Sequence, residues 1–254
     1  MNFKGDFSKI KDLVVLAKIP GSKNVFEIEL AKYPKYKLSL DKESDIDESH
    51  KVDTTIFSIV RNVIKPKEKT TVIKSETLIP EGFKLVVAPG QNIVLENELI
   101  INGGIYLHGL KDFPVNFQTN NKGICKVNGV LEASNAIFTG NHCFLTTNTE
   151  SSFYHCQFYD VKNVFITNNQ SQVSFKNCDS GNMNQLAINN ESNIVIDNCN
   201  FKNGDLLMVN NGSKVKFTRL DVKNYNQLAK LNYQSMINSW SSNFKMSYRN
   251  NHYM

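Results

Sequence analysis

The chain has 254 residues, 41% apolar and 21% charged, and its 29 Lys and Arg against 24 Asp and Glu leave a net charge of +5. That balance excludes a disordered chain, and the length suffices to bury a sizeable core in one large or two small domains. No apolar run nears the roughly 20 residues of a bilayer span. Five cysteines without CxxC spacing argue against a disulfide framework or zinc site, and three arginines match base-reading chemistry poorly.

Residues 1–64 read as an N-terminal cap or linker. Lys9 to Ala17 has the length of a short helix or strand, Val25 to Leu40 alternates, and the acidic stretch Asp41 to Asp53 reads as an exposed loop. The opening MNFKGDFSKIKDL lacks the basic-then-apolar pattern of a signal peptide. With its free thiols this gives a cytoplasmic expectation, unless the chain is a fragment of a larger surface protein.

Residues 65–254 read as one repeat domain. Between Thr77 and Phe117 the sequence runs strand, turn, strand, turn, with Pro80, Gly82, Pro89 and Gly90 as punctuation. Further on, a 21-residue period emerges: units begin at Ser171, Ser192 and Ser213. Apolar residues recur at Phe144, Phe165, Leu186, Leu207 and Leu228, and asparagines at Asn148, Asn169, Asn190, Asn211 and Asn232. Another column holds Asn163, Asn184, Asp205 and Asn226; a fourth holds Cys178, Cys199 and Leu220, with Cys156 one residue out of step. Of 34 asparagines, all but three follow Gly90. Within each unit Val173-x-Phe175, Ile194-x-Ile196 and Val215-x-Phe217 alternate as strands do. Short strands, turn asparagines and stacked polar columns predict an all-β, right-handed parallel β-helix. It has about eight coils, with like residues stacked about 4.8 Å apart. Residues 236–254 carry the single Trp and are placed to close the far end.

The order Leu78-Ile-Pro-x-Gly82, Leu85-x-Val87-x-Pro89-Gly90, Ile93-x-Leu95 and later Pro114-Val115-x-Phe117 resembles the opening coils of pectate-lyase-like β-helix proteins. It is most similar to the bacterial β-helix regions that accompany CotH-type, spore-coat-kinase-like domains. The later SxVxFxNCxF units are similar too. The resemblance covers about 170 residues. It implies the fold, and it leaves function open among lyases, hydrolases, adhesins and phage tail proteins. No CotH-type kinase motif is present, so it implies the accessory β-helix alone.

Catalysis on this fold needs converging carboxylates, or a basic residue among acids at a calcium site. Asp179 and Asp221 share a phase two coils apart, with Asn200 between them, so no two acids stack on neighbouring coils. No His pair has metal-ligand spacing and no nucleophile motif appears, so neither a catalytic residue, a metal nor a cofactor is expected. The leading expectation is a non-catalytic structural or binding module for a glycan or protein surface. A polysaccharide lyase or glycoside hydrolase and a rigid spacer in a cell-surface or phage-like assembly are the alternatives. Candidate binding residues are Asn163, Asn184, Asp205 and Asn226 as a polar strip for sugar hydroxyls, and Tyr225, Tyr233 and Trp240 as ring platforms. The expected partner is a polysaccharide or another protein; no nucleic acid and no membrane span are expected.

Overall fold

The computed structural model describes residues 52–120 and 122–246, together with strands Val15–Lys18 and Val25–Ile28. Two compact units divide the chain, Met1–Asp45 and Ile46–Met254. In the first, Val15–Lys18 pairs antiparallel with Val25–Ile28. The expectations for residues 9–14, for the alternation beyond Ile28 and for the acidic stretch 41–51 lie outside the described residues.

The second unit is a parallel β-helix, and no helix occurs among the described residues. One face is a ten-stranded sheet that begins with Phe57–Val60 and ends with Met236–Trp240. Phe57–Val60 pairs antiparallel with Val63–Pro66, a hairpin laid on the first coil; the other nine strands are parallel, giving about nine coils where eight were expected. Val52, Phe57 and Ile64 are buried in the same core, so the packed unit starts before residue 65.

A thirteen-stranded sheet supplies the remaining faces. Strand Ala136–Thr147 shows how it turns the corner: its first half pairs with Val115–Thr119 and its second half with Ile124–Val127. Strands such as Lys214–Thr218 alternate buried and exposed residues, which is the period-two pattern read from the sequence. The inward residues stack coil upon coil. Phe138 on Phe158 and Phe153 on Phe175 have centroids 5.0 and 4.8 Å apart and nearly parallel planes, the strand spacing imposed on aromatic rings.

Corners are built in two ways. Near the N-terminus, glycine lets backbones meet: a Cβ on Gly129 would stand 1.7 Å from the Gly103 carbonyl oxygen. In the later coils the chain turns through left-handed residues, among them Asn177, Asn198 and Arg219 with φ of 54°, 53° and 51°. Asparagine adopts that region at little cost. Beside one corner a hydroxyl column closes the backbone. Ser171, Ser192 and Ser213 each accept, through Oγ, the N–H of the residue one coil earlier (Thr149, Ser171, Ser192) at 3.1 Å.

The 21-residue spacing fails at coils of 22 residues, the last among them, where Lys214 lies opposite Met236. Gln157 lies opposite Asp179, 22 residues on, so Cys156 and Cys178 are in step in space although not in sequence. The same extra residue places Phe165 opposite Ala187 rather than Leu186, and Asn163 opposite Gln185 rather than Asn184. Asn148 is a left-handed corner residue, and Thr147 takes the place beneath Asn169. From Asn169 the outer ladder runs as read: Asn190 donates to Asn169 at 2.6 Å, Asn211 to Asn190 at 2.7 Å and Asn232 to Asn211 at 2.8 Å.

Each Asn-Asn doublet carries a second ladder on its inner side. Thr146 donates to Asn168 Oδ1 at 2.7 Å, Asn168 to Asn189 at 3.2 Å and Asn189 to Asn210 at 2.7 Å, all fully buried. Buried amides are tolerated because each satisfies the next. The Nδ2 of Asn210 ends the series without a partner, for its neighbour one coil on is Leu231.

Candidate functional site

Strand geometry sends alternate residues outward, so each outer face is a set of columns. At one corner Asn182 donates to Asp160 at 2.8 Å, Asn203 to Asn182 at 3.2 Å and Asn224 to Asn203 at 2.9 Å, and all four are exposed. On the adjoining strands Asn200 donates to Asp179 at 3.0 Å and Asn243 to Asp221 at 3.4 Å, an alternation of carboxylate and amide. Each carboxamide has two N–H donors and two acceptor lone pairs. A ladder bond uses one of each, leaving one donor and one acceptor per coil toward solvent.

Of the polar strip expected at Asn163, Asn184, Asp205 and Asn226, the structure joins the last pair. Asn226 donates to Asp205 Oδ1 at 2.6 Å. Asn184 is exposed, while Asn163 faces His142 on one side and Gln185 on the other. The continuous exposed ladder is therefore the Asp160–Asn224 column, which spacing alone missed because the coil containing Asp160 is 22 residues long.

The three aromatic candidates part company. Trp240 is 76% exposed and Tyr233 is 82% exposed, both on the last coil. Tyr225, expected to offer its ring to a ligand, is fully buried. Its partner one coil earlier is Gly204, whose missing side chain makes the room: a Cβ there would stand 2.1 Å from the ring. The ring passes over that glycine and its hydroxyl donates to the Met183 carbonyl, two coils back. Burial holds its phenol well above the usual range.

The reactive residue types are occupied elsewhere. All five cysteines are free and buried, and burial pushes the Cys143 thiol up to about 12 and the Cys125 thiol higher still. A thiol so held stays protonated and is a poor nucleophile. His142 is held below its ordinary value, first by burial and then by Lys162. Among the described residues no three of His, Cys, Asp and Glu gather as a metal-holding group. Asp179 and Asp221 have Asn200 between them in register, and Asp221 binds Lys223 Nζ at 2.6 Å. A shallow corner groove is lined by Glu96, Gln118, Asn120 and Lys122 beside Gly140, a polar lining again.

Charge is distributed unevenly along the columns. The last coils, residues 213–246, hold Lys214, Lys216, Arg219, Lys223, Lys230 and Lys245 against Asp221 alone, six positive minus one negative, or +5. This equals the net charge of the whole chain. Overall composition conceals that concentration; a charge sum per coil would have found it.

No family model, no curated protein and no solved structure matches the chain.

Proposed function

We propose that the chain is a non-catalytic β-helical binding module whose outer columns hold a glycan. The observation that carries this reading is the exposed Asp160–Asn182–Asn203–Asn224 ladder. Its three asparagines each offer one amide donor and one acceptor, and Asp160 adds acceptors, about 4.8 Å apart, to a ligand that is itself a repeat of hydroxyl groups. The Asp179–Asn200–Asp221–Asn243 column beside it adds carboxylate acceptors. The sequence resembles the pectate-lyase-like, CotH-associated β-helices of bacteria, and we propose that kinship as well; it bears on the fold and not on the ligand.

Lyase or hydrolase chemistry finds less support. Acid-base cleavage needs two carboxyls facing a bond with room for sugar and water between them. Here Asn200 fills the interval between Asp179 and Asp221, and Lys223 engages the second carboxylate.

Affinity electrophoresis through gels loaded with neutral and acidic polysaccharides tests the proposal, with the recovered polymer assayed for new reducing ends and unsaturated products. Retardation without cleavage is expected, weakened in the double variant Asn182→Ala/Asn203→Ala. Cleavage of any polymer, or passage through every gel unretarded, would overturn it.

A further inference from the structure

The last coil differs from every lateral face. Among the described residues eleven large hydrophobics are exposed, and Leu231, Tyr233, Met236 and Trp240, at 49, 82, 52 and 76%, fall within ten residues of one another there. Each has a physical reason to stand out. Met236 and Trp240 point outward from the edge strand of the ten-stranded sheet, above Lys214 and Thr218. Tyr233 occupies a left-handed corner with φ 47°. Leu231 follows Asn210 in the inward column and stands uncovered at its end.

Around these residues lies the concentration of positive charge. Lys223 and Arg219 are each bound to a carboxylate, Asp221 and Asp197, at 2.6 Å. Lys214, Lys216, Lys230 and Lys245 have no carboxylate partner among the described residues, and all four are exposed. Lys214 and Lys216 share an outer face with Met236 and Trp240, one coil below them.

We infer that this C-terminal pole docks on an anionic lipid bilayer. The apolar contribution decides among polyanions. A nucleic acid or an acidic polysaccharide satisfies lysines and stacks on an aromatic ring, and leaves Leu231 and Met236 in water. A bilayer interface takes all of them: Trp and Tyr at the headgroup level, Leu and Met into the acyl boundary, lysines against the anionic headgroups. Lysine, a compact charge on a flexible stem, suits that delocalised field, where bidentate recognition would call for arginine. Asp160, Asn182 and Asn203 lie in earlier coils than this pole, so docking by it leaves that part of the amide ladder free.

Trp240 is the only tryptophan in the chain, which makes the contact directly readable. The full chain would be titrated with vesicles of phosphatidylcholine alone and with 30% phosphatidylserine, following Trp fluorescence and flotation. Anionic vesicles are expected to bind the protein, shift its emission to the blue and, when brominated, quench it; neutral vesicles are expected to do neither. Lys214→Gln/Lys216→Gln should weaken binding roughly 30-fold. Lys230→Gln/Lys245→Gln, which changes only exposed side chains, should act in the same direction. Trp240→Ala should weaken flotation with no change in the far-ultraviolet dichroism. Absence of binding to anionic vesicles would overturn the inference. So would binding with an unshifted Trp240 or with full affinity in both lysine pairs. Retention by heparin or a DNA oligonucleotide without vesicle binding would overturn it in favour of a soluble polyanion.

Discussion

One buried column runs through most of the β-helix and changes character on the way. Its first half is Ile79, Ile101 and Val127; its second is Thr146, Asn168, Asn189 and Asn210. Both halves are excluded from water. The aliphatic half is held by non-directional burial, so neighbouring coils have leave to differ: 26 residues separate Leu99 from its partner Cys125, and 19 separate Cys125 from Phe144. The amide half is held by side-chain bonds that fail if one member moves, and its coils keep to 21 residues between Asn168, Asn189 and Asn210. Coils keep one length where amide bonds to amide inside and vary where no side-chain bond runs there, while the Thr146–Asn168 bond spans 22 residues. The corners repeat the contrast, close-approach glycines in the first half and left-handed asparagines with a serine column in the second.

The largest break in that comparison is an apolar isostere. Asn189→Leu leaves the Asn168 amide and the Asn210 carbonyl oxygen unpaired in a dry interior, and is expected to cost about 2–6 kcal/mol in urea denaturation. Ile101→Val in the other half of the column should cost about 0.5–1.5 kcal/mol. Ser192→Ala comes next. It removes the acceptor for the Ser171 N–H and the donor to the Asn168 and Asn190 carbonyls, with an expected loss of about 1–3 kcal/mol. Leu231→Asn should run the other way. The new carbonyl gives Asn210 Nδ2 its missing acceptor while little apolar burial is lost, so a gain of about 0.5–1.5 kcal/mol is expected.

The smallest effect is one of pH. Burial raises the thiols of Cys125 and Cys143 above the ordinary value of an exposed thiol, and hydrogen bonding to a neighbouring thiol, with burial, raises those of Cys178 and Cys199, so the folded state holds protons that the unfolded chain releases. Their contribution is complete below that unfolded value and is lost as pH climbs toward the folded one. Stability measured by urea titration should therefore be flat from neutral pH to about pH 8 and decline above it. Ellman's reagent should find no reactive thiol in the folded protein and five in the unfolded one.

How far the sequence went depended on whether a feature repeats every 21 residues. The strands around Phe175, Ile196 and Phe217, the serine column and the outer Asn169–Asn232 ladder all do, and spacing alone located them. The 22-residue coil containing Asp160 broke the count, misplacing Asn163 and Asn184 relative to one another and hiding the Asp160 ladder. The inner ladder was hidden differently. In Asn168-Asn169 and its successors one amide faces in and one out, and residue identity does not say which; only the buried Thr146 and Val127 beneath Asn168 reveal it. Tyr225 carried a readable signal that went unused, since Gly204 stands 21 residues before it and a column that trades glycine for an aromatic leaves a slot for the ring. Trp240 and Tyr233 were legible as exposed aromatics, whereas the lysines around them emerged only from summing charge over single coils.

Two single-glycine insertions bring the claim to one measurement, the urea midpoint of each against the parent chain. One insertion lies between Glu191 and Ser192, inside the laddered coils; the other lies between Lys111 and Asp112, in an exposed connection of the earlier ones. The first should shift the inner amides, the outer amides and the serines out of register together and lower stability by several kcal/mol. The second should change it by less than about 1 kcal/mol, because a slightly longer surface loop costs little. Equal losses at the two positions would contradict the account, for they would mean that the ladders do not set the length of the coil.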